Sequence, residues 1–321
     1  MAREFFIVDR DVFLQACDLG MNAAVSYLVM ARGTQGNNRT TKWSANSIAD
    51  RAGMTRPRAT TAIGELISAG IVELVAAGAR PHYRLNLPDG DNGYLYLPNS
   101  IIDAVGEEIP PVERLRQTRN ITNLIVFVLL YGIQDLDNAG GLPADMFDSS
   151  PSEPQVLYEN KTMRLEVVTN FTYKLSLAWY GKSSVFSLIG MDFNDFRDAF
   201  HDLRDMGLIS VNAVVFDHPE HDGEIIGSTY DYSYVQELDV AMRRKRKTMA
   251  KWPDGFYMII PAHIKTACVR CVGIMRYRAQ TSKTARWMAL STKNGSRVFN
   301  LYNDAARLEM ALAIDRESKS A

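Results

Sequence analysis

Two arginines and three threonines crowd the stretch TRPRATT: Thr55, Arg56, Arg58, Thr60 and Thr61. No general base, nucleophile or metal-ligand pair stands beside them, so their guanidinium and hydroxyl groups suit recognition better than bond breaking. An arginine donates through two parallel hydrogen bonds to guanine, and a threonine reaches a phosphate oxygen or a thymine methyl group. Arg80, His82 and Arg84 follow in ARPHYR, and a cationic run, Arg243, Arg244, Lys245, Arg246 and Lys247, comes later in the chain.

The surrounding residues predict the scaffold that positions the cluster. Ser44 is placed to cap a short helix, Ala45 to Ala52, with Ile48 and Ala49 facing inward, and Gly53 permits a tight turn. Thr55 is the next cap, and Pro57 sits in the first turn, where its missing N–H costs nothing. Ala59, Ala62, Ile63, Leu66 and Ile67 recur at three- and four-residue spacing and form one apolar stripe. That stripe leaves Arg56, Arg58, Thr60 and Thr61 on the exposed side, at the helix N-terminus. Gly70 ends the helix, Ile71 to Val75 has strand character, and the turn AAGARPH leads into a second strand, HYRLNL. The predicted order is helix, turn, helix, then a two-stranded wing tipped by Arg80, His82 and Arg84. A recognition helix of this kind fits the major groove with its N-terminal residues nearest the base edges.

The segment SIADRAGMTRPRATTAIGELISAGIVEL resembles the winged helix of GntR-like bacterial regulators, with relatives in MarR-like and phage or plasmid replication proteins. Gly53 matches the family turn, Thr55-Arg56 its Ser-Arg at the start of the recognition helix, and Gly70-Ile71-Val72 the Gly-Leu-Ile that opens the wing. The resemblance covers residues 44–86 and implies that Thr55, Arg56, Arg58 and Thr60 contact bases and phosphates. Nothing after Asn86 resembles the usual GntR effector-binding domain.

A second copy lies 137 residues downstream, in DFNDFRDAFHDLRDMGLISVN. Ser47, Gly53, Met54, Ala62, Leu66 and Gly70 meet identical residues at Ser184, Gly190, Met191, Ala199, Leu203 and Gly207. These are core and turn positions, the signature of a shared fold. Each copy is preceded by a similar strand-like segment, FFIVDRDVF or YLYLPNSII, and by an apolar helix, Asn22 to Ala31 or Ile121 to Tyr131. The surfaces diverge: Arg56, Arg58 and Thr61 become Phe193, Asp195 and Asp198, while Phe193, Phe196 and Phe200 read as core. Carboxylates in those positions repel phosphate, so the second helix is not expected to meet DNA.

Charge is segregated along the chain. The net charge is −1, yet residues 85–242 hold nine basic and 25 acidic residues, and residues 243–297 hold 14 basic residues against Asp254 alone. Residues 32–84 are basic as well, with Arg32, Arg39, Lys42, Arg51, Arg56, Arg58, Arg80 and Arg84 against Asp50, Glu65 and Glu73. Such blocks speak to partners more than to fold. The longest apolar run, Ile121 to Ile133, is too short to span a bilayer. The start MAREFFIVDR carries charges where a signal peptide is apolar, and the three cysteines, Cys17, Cys268 and Cys271, do not suggest a disulfide framework, so a cytoplasmic location is expected.

Cys268 and Cys271 in CVRC, with His218 and His221 in HPEH, offer a formal zinc set. The pairs are far apart, and CVRC falls in what reads as an amphipathic helix with ordinary core cysteines, so no metal is expected. No phosphate-binding loop, catalytic triad or paired-carboxylate motif stands out, and neither an enzyme nor a cofactor is expected.

The sequence therefore predicts an α+β, mainly helical fold of two tandem winged helix-turn-helix domains and a basic C-terminal region. The expected boundaries are 1–88 for the DNA-reading domain, 89–241 for the acidic copy with an insertion near 149–180, and 242–321 for the basic region. The expected function is sequence-specific binding of double-stranded DNA by a transcriptional regulator, dimeric or partnered through its second domain. The alternatives are a plasmid or phage replication initiator, which a tandem arrangement resembles, and a protein-binding adaptor or inhibitor that uses the acidic domain.

Overall fold

In a computed structural model, the described residues are 4–34, 36–88, 93–104, 106, 108–134, 141–142, 146, 155–160, 165–169, 191–216, 225–228, 258–261 and 268–277. They form a mixed α/β structure with eight α-helices and several small sheets. The chain divides into two compact units. Residues 1–134, 181–210 and 275–284 make the first, and 135–180, 211–274 and 285–321 the second.

The first unit opens with β1 (Phe5–Asp9), whose Phe6, Ile7 and Val8 are buried. Asp9 turns the strand into α1 (Arg10–Asp18): its Oδ1 accepts from the Asp11 and Val12 amides, both at 3.0 Å. The same device caps many helices, because the first amides have no intrahelical acceptor. The central helix, α2 (Met21–Arg32), is buried continuously from Ala23 to Ala31 and packs against α1, α3 (Ala45–Ala52) and α4 (Arg56–Ser68). Gly53, with φ 58° and ψ 30°, makes the left-handed turn between α3 and α4. Ser44 and Thr55 occupy the N-cap positions with extended backbone, but neither side chain accepts an amide hydrogen bond. At Thr55 the reason is partly chemical: Pro57, the second residue of α4, has no N–H to give.

After α4 the chain passes through Gly70 (φ 73°) into β3 (Val72–Ala76) and returns as β4 (His82–Leu85). These strands pair antiparallel, Val72 with Leu85 and Glu73 with Arg84. The sheet has three strands rather than the predicted two, because Thr40–Thr41 forms β2 on the other edge of β4. Two residues carry no readable periodicity, so this strand left no sequence signal.

Later segments of the unit repeat the earlier ones. β5 (Tyr94–Pro98) pairs antiparallel with β1, from Phe5 opposite Pro98 to Asp9 opposite Tyr94, so the two similar opening segments are each other's partner. Next come α5 (Ser100–Asp103), α6 (Pro111–Thr118) and α7 (Ile121–Leu130), the last continued by a 3-10 turn, Tyr131–Ile133. Helix α8 (Phe193–Asp205) packs on α7 as α4 packs on α2. Both α4 and α8 have 13 residues, offset by the 137 positions of the repeat, and both end before a glycine of positive φ, Gly70 and Gly207. Phe196, Ala199, Phe200 and Leu203 of α8 are buried, as their spacing requires.

The second unit contains β6 (Gln155–Asn160), β7 (Leu165–Thr169) and β10 (Met258–Pro261), an antiparallel sheet in the order β10-β7-β6. A further sheet has the order β11-β8-β9, from β8 (Ile209–Phe216), β9 (Ile225–Ser228) and β11 (Cys268–Met275). CVRC thus begins a strand, not the expected helix. A short apolar run has no decisive period, and the β-branched Val269, Val272 and Ile274 favour the extended form.

Candidate nucleic-acid interface

The apolar stripe of α4 fixes what the helix shows. Ala59, Ala62, Ile63 and Leu66 are buried, Ile67 is half-buried, and Arg56, Pro57, Arg58, Thr60, Thr61, Gly64, Glu65 and Ser68 are exposed. At 100° per residue, Pro57, Thr61, Gly64 and Ser68 lie along the line farthest from the core, with Arg56 and Thr60 to one side and Arg58 and Glu65 to the other. The crest of the helix is therefore made of small side chains flanked by arginines. A Cβ built on Gly64 meets no atom within 4 Å, so nothing in the described structure covers that crest. The Thr60 and Thr61 hydroxyls donate to the carbonyl oxygens of Arg56 and Pro57, at 3.0 and 3.2 Å. Their lone pairs and methyl groups remain for a ligand, but a bond donated to phosphate requires the hydroxyl to turn away.

The structure sorts the eight cations of residues 32–84, which a charge count treats alike. Arg32 and Arg51 both bind Asp103, at 2.6 and 3.3 Å, and both guanidinium groups stand over Trp43, that of Arg51 at 3.8 Å from the ring centroid. Arg39 donates to the carbonyl oxygens of Leu87 and Pro88, and holds the end of β4. Arg84 meets Glu73 across the hairpin at 3.3 Å. Lys42, Arg56, Arg58 and Arg80 have no ion pair among the described residues and are exposed, as is His82. Thr55 is exposed at the N-cap. Arg243, Arg244, Lys245, Arg246 and Lys247 lie outside the described residues, as does HPEH.

Helix α6 supplies residues that the sequence did not single out. Arg116 Nε donates to the Ala52 carbonyl oxygen and Nη2 to that of Gly53, each at 2.6 Å. These are C-terminal carbonyls of α3, which lack intrahelical donors. Glu113 lies against Gly53, where a Cβ would fall 2.0 Å from its Oε1, and Gln117 Nε2 donates to that same oxygen at 3.1 Å. So α6 braces the turn that presents α4. Beyond the brace, Met21, Asn22, Arg58, Arg116, Gln117 and Arg119 line an open cleft of about 510 Å³ beside α4. The signal available in sequence was three arginines in six residues, Arg114 to Arg119, inside an otherwise acidic segment.

Helix α8 presents the opposite charge. Asp195, Asp198, Asp202 and Asp205 are exposed, and among the described residues Arg197 and Arg204 pair with their neighbours Asp198 and Asp205. Asp192 caps the helix through the Asn194 amide at 2.8 Å, and Asp202 accepts from the buried Asn123 at 3.0 Å. Phe193, opposite Arg56 in the repeat, is half-buried.

Burial, reinforced by Asp18, pushes the Cys17 thiol up to about 12, and burial raises the Tyr27 phenol well above its ordinary range, with Asp9 adding to it. No cluster of three or more metal-ligating side chains occurs among the described residues. Among them, too, no helix is long and apolar enough to cross a membrane. Comparison with protein-family models, curated proteins and solved structures finds no match for the chain.

Proposed function

We propose that this chain is a sequence-specific double-stranded DNA-binding protein, a winged helix-turn-helix regulator of transcription acting as a dimer. The observation that carries the reading is the state of Arg56 and Arg58. They are exposed at the N-terminus of a 13-residue helix whose opposite face is core, and without ion-pair partners among the described residues. Long cations on a helix tip have no packing role there, whereas a major groove offers guanine edges and phosphates at the reach of such side chains. The small crest between them lets the helix axis approach the base edges closely. The β3–β4 hairpin carries Arg80 and His82 toward the neighbouring backbone, with Arg84 contributing less because Glu73 already neutralises it. The acidic helix α8 stays out of the groove and serves a protein contact, and the run Arg243 to Lys247 adds affinity for phosphate.

The test is a selection of bound sites from randomised duplexes, followed by Arg56→Ala and Arg58→Ala. Each substitution is expected to cost about 1–3 kcal/mol of specific binding and to relax base preference at one position. Equal loss on cognate and random DNA would show that these arginines touch phosphate alone.

The matched helices α4 and α8 support a second reading, a plasmid or phage replication initiator. Footprinting separates the two: a palindrome overlapping a promoter belongs to the regulator, direct repeats beside an AT-rich origin to the initiator.

A further inference from the structure

The cleft beside α4 belongs to neither the helix crest nor the hairpin. Its six lining residues include three arginines, two carboxamides and no carboxylate. Arg58 comes from the first turn of α4, and Arg116, Gln117 and Arg119 come from the end of α6, about 60 residues later. Met21 and Asn22 are the first residues of α2, where Gly20 has no side chain to cap their amides. A helix N-terminus left uncapped beside guanidinium groups favours anionic oxygen.

Arg119 is held there by an unusual backbone. It sits between α6 and α7 with φ 58° and ψ 13°, a left-handed conformation that side-chain-bearing residues rarely adopt. Its neighbour Asn120 caps α7 through the Thr122 amide at 3.0 Å, which fixes the short connection. The Arg119 side chain is exposed and has no ion pair among the described residues. Glycine would suit this position better on conformational grounds alone. Arg116 is already committed to the α3 carbonyls, and Arg58 belongs to the α4 tip, so Arg119, with no ion pair among the described residues, is the cation left to the cleft.

We infer that this cleft grips a backbone phosphate of the same duplex that α4 enters, with Arg119 as the clamping cation and Asn22 and Gln117 as neutral donors. The inference rests on the DNA-binding reading and extends the contact surface to α6, outside the segment that resembles a winged helix. Phosphate gripping beside the groove fixes the register of the helix without reading bases.

The experiment measures binding of the full chain to the selected duplex and to a random-sequence duplex over a range of salt, for wild type, Arg119→Gly, Arg119→Lys and Arg56→Ala. Arg119→Gly is expected to weaken both complexes on the order of fivefold to tenfold at 0.1 M salt and to reduce the salt slope by about 0.9, the loss of one phosphate contact. Its melting temperature stays at or above that of wild type, because glycine relieves the left-handed backbone, and Arg119→Lys restores the slope. If Arg119→Gly keeps the wild-type slope while Arg56→Ala loses specific binding, the cleft inference is overturned and the DNA reading stands. If Arg119→Gly lowers both affinity and melting temperature and lysine restores neither, the residue is structural and the inference again fails. If the wild type binds neither duplex, the DNA reading itself falls and the phosphate clamp with it.

Discussion

Arg116 donates to the carbonyl oxygen of Gly53 at 2.6 Å, tying the end of α6 to the turn between α3 and α4. The turn that sets the angle of the arginine-bearing helix is therefore secured by a residue 63 positions away in sequence. The pair couples the first copy of the repeat to the segment that opens the second.

Arg116→Ala should loosen that coupling. Two charge-assisted hydrogen bonds are lost and the Ala52 and Gly53 carbonyls return to water or stay unpaired, a cost of roughly 1.5–3 kcal/mol. Urea unfolding checks the stability. Arg116→Lys should recover only part of it, because an ammonium lacks the fork that reaches both oxygens. Full stability in the alanine variant would remove α6 as the brace.

Gly53→Ala places a side chain at φ 58°, at a cost of roughly 1–2 kcal/mol, and pushes Glu113 aside. The glutamate end is flexible and yields, so the backbone conformation dominates the loss. The double variant with Glu113→Ala should therefore recover little in a denaturant titration; a large recovery would mean that contact, not φ, selects glycine here.

Reversing charge on α8, with Asp195→Lys and Asp198→Lys together, should leave specific DNA binding intact, since those carboxylates face solvent and not a groove. Self-association or capture of a protein partner should change instead, read by sedimentation. Loss of function from this reversal, combined with indifference to Arg56→Ala, would favour an adaptor over a DNA reader.

Alkaline conditions should destabilise the fold through Cys17 and Tyr27. The Cys17 thiol is raised from 9.0 to about 12, so the unfolded chain loses that proton first and the folded chain binds more protons between those values. Stability is fully present below pH 9 and is lost as pH rises toward 12. Each such group contributes a slope of at most about 1.4 kcal/mol per pH unit. Tyr27, also raised, acts in the same direction. Denaturant titrations across this range check the slope, and Cys17→Ala should flatten it. A thiol this buried also resists alkylation in the folded chain, which peptide mapping reads at Cys17 itself.

The parts of this structure that the sequence announced are those with local causes. The bounds of α3 and α4, the left-handed Gly53 and the end at Gly70 follow from an apolar stripe and two glycines. The offset of 137 carried over to α8 without a gap because core and turn positions were the ones repeated. Pairings between distant residues were not legible. Nothing in the composition distinguishes Arg51, stacked on Trp43 and bound to Asp103, from Arg56, which has no such partner among the described residues. Arg116 is indistinct in sequence for the same reason: its role depends on where α6 lands, not on its spacing. Strand β2 and the extended form of CVRC were missed because short runs lack a period to read.

The antiparallel match of β1 with β5 limits how the molecule can be cut. A fragment trimmed at residue 88 would keep Phe6, Ile7 and Val8 but discard the strand that shields their backbone, leaving an apolar ribbon with open amides. Such a piece would clump rather than bind, and its failure would say nothing about the arginines of α4. A cut near Ile133 keeps β5 and α6 but in turn strips α7 of α8, so the arginines of α4 are best tested in the full chain.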